Sequence, residues 1–116
     1  MKEFTTLLFE KKYLQRLNEF INTSINIENK IIFISVDKED NVIGYVHGRL
    51  LQDQTGIISD IKYSSDYSDT KIEESLLCMI TDYFRTQKCK NVILKLESDS
   101  YKYFDYDSKN LLNIFK

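Results

Sequence analysis

The sequence predicts a single α/β (α+β) domain over residues 1–116, with a mixed sheet made of an antiparallel meander, then a β-α-β unit and a C-terminal helix. Three observations carry that reading. Residues 31–36, 42–51 and 57–63 are successive strand-like runs joined by short polar loops, a long apolar helical stripe follows them, and a further strand-like run, residues 92–96, comes after the stripe. No repeat, low-complexity segment or Pro/Gly-rich linker divides the chain, so these elements must share one fold.

The elements are justified in order. Residues 4–9 form a short apolar run suited to a first strand, and Tyr13, Leu14, Leu17, Phe20 and Ile21 then recur at helical spacing, which predicts a helix over residues 10–23. The runs 31–36 and 42–51 flank the polar stretch Asp37-Lys38-Glu39-Asp40-Asn41, the signature of a hairpin loop. In the second run Val42, Gly44, Val46, Gly48 and Leu50 alternate with Ile43, Tyr45, His47, Arg49 and Leu51. The first of these faces is apolar and small, and is expected to pack under a helix. A loop at residues 52–56 leads to the third meander strand. Ile72, Leu76, Met79, Ile80, Tyr83 and Phe84 then mark one continuous helical stripe, opened near Asp69 or Thr70 by a Thr70/Glu73 capping box. The strand at 92–96 follows that helix, which implies a parallel neighbour reached by a right-handed crossover. Residues 98–116 carry Tyr101, Phe104, Leu111, Leu112 and Phe115 in a loosely helical pattern, read as the C-terminal helix.

Composition excludes several functions. With 42% hydrophobic and 13% aromatic residues the chain can bury a core, while 29% charged residues, a net charge of −2 and a pI near 5.4 supply no field that attracts nucleic acid or a membrane surface. Lys outnumbers Arg 13 to 3, so phosphate recognition would fall to backbone amides rather than guanidinium forks. Cys78 and Cys89 match no zinc spacing and no CxxC motif, and read as ordinary thiols. No apolar run is long enough to span a membrane, and Met1-Lys2-Glu3-Phe4 lacks the apolar stretch of a signal peptide, so a cytoplasmic location is expected.

Two segments carry a resemblance to a known family. Val36 to Val46, an acidic turn followed by the Ile43-Gly44-Tyr45 step, and Asp60-Ile61-Lys62-Tyr63-Ser64-Ser65-Asp66-Tyr67 followed by Ile72, Leu76 and Leu77, together with the order of elements, resemble the GNAT acetyltransferase superfamily over most of the chain. The resemblance implies a GNAT-like mixed sheet and, in an active member, acetyl-CoA as the acyl donor. The family opens its long helix with Arg or Gln, two residues, Gly, one residue, then Gly or Ala. There the glycines let backbone amides approach a pyrophosphate that the helix N-terminus favours. Here Ser68 stands in the first place and Lys71 and Glu73 in the glycine places, with Asp69, Glu73 and Glu74 adding carboxylates that repel a diphosphate. The turn is degenerate, and the residues after 96 leave out the last two strands of the family's pattern.

Site candidates follow from the same comparison. The resemblance implies that the backbone around Ile61 to Tyr63 polarises a thioester, which with Ser68, Lys71 and Glu73 completes the cofactor-binding set; Asp60 reads either as a base of the family's carboxylate kind or as a solvent-facing strand carboxylate. Tyr106 falls one residue short of the family's general-acid Tyr, with Asp107 on that position and Ser100 on the preceding Asn. His47, the single histidine, reads either as a general base or as a half-exposed structural imidazole. One His and three glycines exclude a Ser-His-Asp triad and a phosphate-cradling glycine loop, and no metal set exists. The reading that results is a non-catalytic module without cofactor that binds a protein partner or itself, the alternative being a divergent N-acyltransferase acting on an amine. A homodimer through residues 101–115 is expected, because those large apolar side chains and the outer edge of strand 92–96 need cover.

Overall fold

The computed structural model describes residues 2–96 and 110–115. In chain order the elements are β1 (Thr5–Leu8), a 3-10 turn (Lys11–Tyr13), α1 (Leu14–Ile21), β2 (Ile31–Val36), β3 (Val42–Leu50), β4 (Thr55–Tyr63), a second 3-10 turn (Ser65–Tyr67), α2 (Ile72–Thr86), β5 (Asn91–Leu94) and a last 3-10 turn (Leu111–Asn113). The strands form one sheet in the order β1-β2-β3-β4-β5, antiparallel throughout except for the parallel pair β4–β5. The meander and the β-α-β unit are both present.

Each face of the sheet holds a core. On one face α2 lays Ile72, Leu76, Leu77, Ile80 and Phe84 on Phe33, Val46, Ile58, Ile61 and Val92. On the other, Tyr13 and Leu17 cover Ile32, Ile34, Val36, Val42 and Tyr45. Burial on both faces explains why β2, IIFISV, reads as an apolar run without alternation, broken by Ser35, whose hydroxyl is hydrogen-bonded to that of Thr6. The crossing of α2 over the sheet depends on missing side chains: a Cβ on Gly56 would stand 2.5 Å from Phe84 Cγ, and one on Gly44 3.2 Å from Ile72 Cδ1.

Local chemistry moves several boundaries. The helix expected over 10–23 begins as a 3-10 turn because Glu10 is extended and offers no side-chain cap, and it stops at Asn22, whose left-handed φ of 60° ends it. Helix α2 begins at Ile72 rather than at Asp69 or Thr70: the Thr70 hydroxyl donates to the Tyr67 carbonyl and accepts from Ile72 N–H at 3.2 Å, holding residues 67–71 in turns. In β3 the register shifts opposite Ser35/Val36, so Ile43 joins the α2 core and Val42 the α1 core, which breaks the expected alternation at its first step. In the tail, the described residues form one 3-10 turn instead of a helix; the rest of 98–116, Lys116 included, lies outside the described residues. Leu111 and Phe115 are buried in the α2 core of their own chain, Val92 N–H donates to Asn110 Oδ1 at 3.0 Å, and Asn110 bridges to Ile93. The outer edge of β5 is therefore partly covered from within.

Candidate functional site

The site expected from the sequence lies where β4 and β5 part. Their parallel pairing runs from Thr55↔Asn91 to Ile58↔Leu94 and is extended by one bond, Lys95 N–H to the Ile58 carbonyl at 3.0 Å. Opposite β3, Gly48 pairs with Ile58 but His47 pairs with Asp60, which leaves Ser59 as an extra residue. Pairing with β3 continues to Tyr63 while pairing with β5 stops at Ile58, so among the described residues a gap is left beside the second half of β4. The bulge at Ser59 sits two residues before the 61–63 segment that the sequence singled out.

Beyond the bulge, alternation decides which backbone groups face the gap. Ser64 N–H donates to the Ile43 carbonyl at 2.8 Å, so Lys62 and Asp60 turn their backbone groups toward β3, while those of Ile61 and Tyr63 turn toward β5. Within the 61–63 segment expected to meet a thioester, Ile61 N–H is already engaged by Asp60 Oδ1 at 2.9 Å. The Tyr45 hydroxyl donates to the other oxygen of the same carboxyl group, Asp60 Oδ2, at 2.6 Å.

Asp60 and His47, proposed separately as bases, stand directly opposite each other on β4 and β3. His47 is buried, and its ring stacks on that of Tyr45 with centroids 5.7 Å apart and planes at 15°. Phe20 of α1 meets Tyr45 edge-on at 6.3 Å, and Lys62 Nζ lies 5.6 Å from the Phe20 ring centre. Burial first, then the hydrogen bond and negative charge of Asp60, push the Tyr45 hydroxyl far above its ordinary pKa. Tyr45 thus stays a neutral donor. It was not among the residues singled out, and the signal that exposes it, a cross-strand register displaced by a bulge, is not written in residue types.

The cofactor-side candidates gather at the start of α2. Ser68 closes the turn Ser65–Tyr67, Lys71 is the exposed residue just before the helix, and Glu73 lies in its first turn. Burial first, and then the charge of Glu73, raise the Tyr63 hydroxyl, which places that carboxylate beside the gap-facing strand. Phe4 packs edge-on against Tyr67 at 6.3 Å, and Lys2 Nζ lies over the same ring at 5.4 Å, so the N-terminal segment covers part of this turn. Tyr106, with Ser100 and Asp107, lies outside the described residues. Burial raises the thiol pKa of both Cys78 and Cys89, in keeping with unreactive thiols. Among the described residues no cluster of His, Cys, Asp or Glu has the makings of a metal site, and no helix is long and apolar enough to cross a membrane.

No protein-family model matches the sequence, and no curated protein matches it. Solved structures do. An acetyltransferase of the GNAT family from Staphylococcus aureus Mu50 superposes with a TM-score of 0.69 at 17% identity, covering 79% of this chain and 73% of that one. The ribosomal-protein-alanine N-acetyltransferase of Brucella melitensis gives 0.74 at 10% identity, over 86% and 85%, and a Trypanosoma brucei acetyltransferase gives 0.72 at 12%, over 93% and 95%. The chain has the fold of the GNAT acetyltransferases. At these identities the likeness extends to the fold and leaves the chemistry to the residues.

Proposed function

We propose that this chain is a non-catalytic GNAT-like domain that acts by binding a protein partner or a second copy of itself. One observation carries the reading: the turn and first residues of α2 hold Lys71 and Glu73 where backbone amides would need glycines to approach a diphosphate, with Asp66, Asp69 and Glu74 around them. The engagement of Ile61 N–H by Asp60 supports it independently. Calorimetry with acetyl-CoA should give a dissociation constant weaker than about 100 μM, that is less than roughly 5.5 kcal/mol of affinity. Tighter binding would sink the proposal. Light scattering at micromolar concentration then separates the two kinds of partner: a dimer mass supports self-association through the tail, where Ile114 is still 40% exposed, and a monomer mass leaves a foreign protein.

A second reading, N-acyl transfer from acetyl-CoA to an amine, draws on the Tyr45–Asp60–His47 cluster beside the gap. In it Asp60 or His47 takes the proton of the attacking amine and Tyr106 protonates the departing thiolate. A thiol-release assay over a panel of amines tests it. Turnover that survives both Asp60→Asn and His47→Gln would remove the cluster from the chemistry.

A further inference from the structure

At the β1 edge of the sheet the two cores come close together, and among the described residues no strand covers them. β1 ends at Leu8, which is 52% exposed, and beyond it lies a cavity of about 320 Å³. Phe9, Ile27 and Ile32 line it from the α1 core, and Ile31 and Tyr83 from the α2 core. Lys11 and Lys30 line it too, and no acidic side chain does. Neither lysine forms an ion pair with a described residue: the three pairs present are Lys12–Glu10, Lys38–Glu3 and Arg85–Asp82. β3 and β4 stand between this cavity and the gap, so it is a separate place on the molecule.

Its chemistry is specific enough to name a ligand class. The volume is at the lower end of the range for small-molecule pockets, about 300–1,000 Å³. Apolar walls left open to water favour a hydrocarbon body. Two lysines without an ion-pair partner among the described residues, beside low-dielectric walls, favour one anionic group, and point charges on flexible stems suit a monoanion better than the bidentate geometry a phosphate would reward. We propose that the cavity binds an amphipathic monocarboxylate of medium chain length, its tail against Leu8, Phe9, Ile31 and Tyr83 and its carboxylate met by Lys11 and Lys30.

The test is an amide NMR titration of the full chain with octanoate, octan-1-ol and octylamine. Octanoate should saturate with a dissociation constant below about 1 mM, moving the resonances of Leu8, Phe9, Ile31 and Tyr83, and octan-1-ol should bind at least about tenfold more weakly. The double variant K11Q/K30Q should bring octanoate down to the level of the alcohol and leave the alcohol unchanged, while K11R/K30R keeps the preference. Lys11 is exposed and Lys30 half-buried, so both variants retain the fold's packing, and the unliganded spectrum verifies it. Equal affinity for octanoate and octan-1-ol, octanoate shifts located elsewhere, or octanoate binding indifferent to K11Q/K30Q would each overturn the proposal. The octylamine arm decides independently of any variant: binding as strong as that of octanoate rules out the cationic lining as the selector.

Discussion

Asp60 is a side chain whose position decides the character of its surroundings. With one oxygen on its neighbour's amide and the other on the Tyr45 hydroxyl, it links β4 to β3 and occupies the Ile61 N–H. Tyr45→Phe removes one of those bonds from a partly buried pair and should cost about 1 kcal/mol in chemical denaturation. The same tyrosine makes stability depend on alkaline pH. Its folded pKa lies above the unfolded value of 10.0, so its contribution is full below about pH 10 and is lost as pH rises beyond that. Wild type should therefore lose more stability than Tyr45→Phe between pH 9 and the alkaline end of the folded range. Thr81 gives the opposite sign. Its buried hydroxyl has no hydrogen-bond partner among the described residues, so Thr81→Val should be neutral or raise stability by about 1 kcal/mol, read as an upward shift of the denaturation midpoint.

The elements differ in how far their sequence announces them. Helix α2 was legible because its stripe must face one surface, and β2 because β-branched residues fill a strand buried on both sides. The parallel β5 followed from its place after the helix. The bulge at Ser59 was not legible: an inserted residue changes no composition, only the parity of the strand, and parity becomes visible once β3 is laid beside it. The site suffered from the same blindness. The sequence named Asp60, His47 and Ile61 separately, and that Asp60 stands opposite His47 depends on that one-residue offset. The short α1 was missed for a different reason, since a 3-10 turn and an α-helix share the same apolar spacing over one turn, and the late start of α2 because the Thr70 hydroxyl read as a cap holds a turn instead. At this scale Arg85 is the testable feature. From the last turn of α2 it donates to the carbonyls of Leu112 at 3.2 Å and Phe115 at 2.5 Å, besides pairing with Asp82. Arg85→Ala should free residues 111–115, seen as faster proteolysis there, with β3 and β4 unaffected.

Across the whole molecule, α1 and α2 sit on opposite faces of a single sheet, and their contacts are of very unequal reach. Hairpin loops join β2 to β3 and β3 to β4, so three strands can pair soon after they are made. β5 is different: its first partner is Thr55, with the rest of β4 and all of α2 between Thr55 and Asn91, and that closure gains a ladder of four residue pairs with one further bond from Lys95. In kinetic terms, a contact that must close a long loop for little return forms after the rate-limiting step. Val92→Ala should then speed unfolding and leave the folding rate nearly unchanged, whereas Val46→Ala, in the meander, should slow folding, with stopped-flow chevrons as the measurement. The strand that frames the gap would be the last to arrive and the first to leave, so the gap itself would exist for a shorter part of the chain's lifetime than the sheet that carries it.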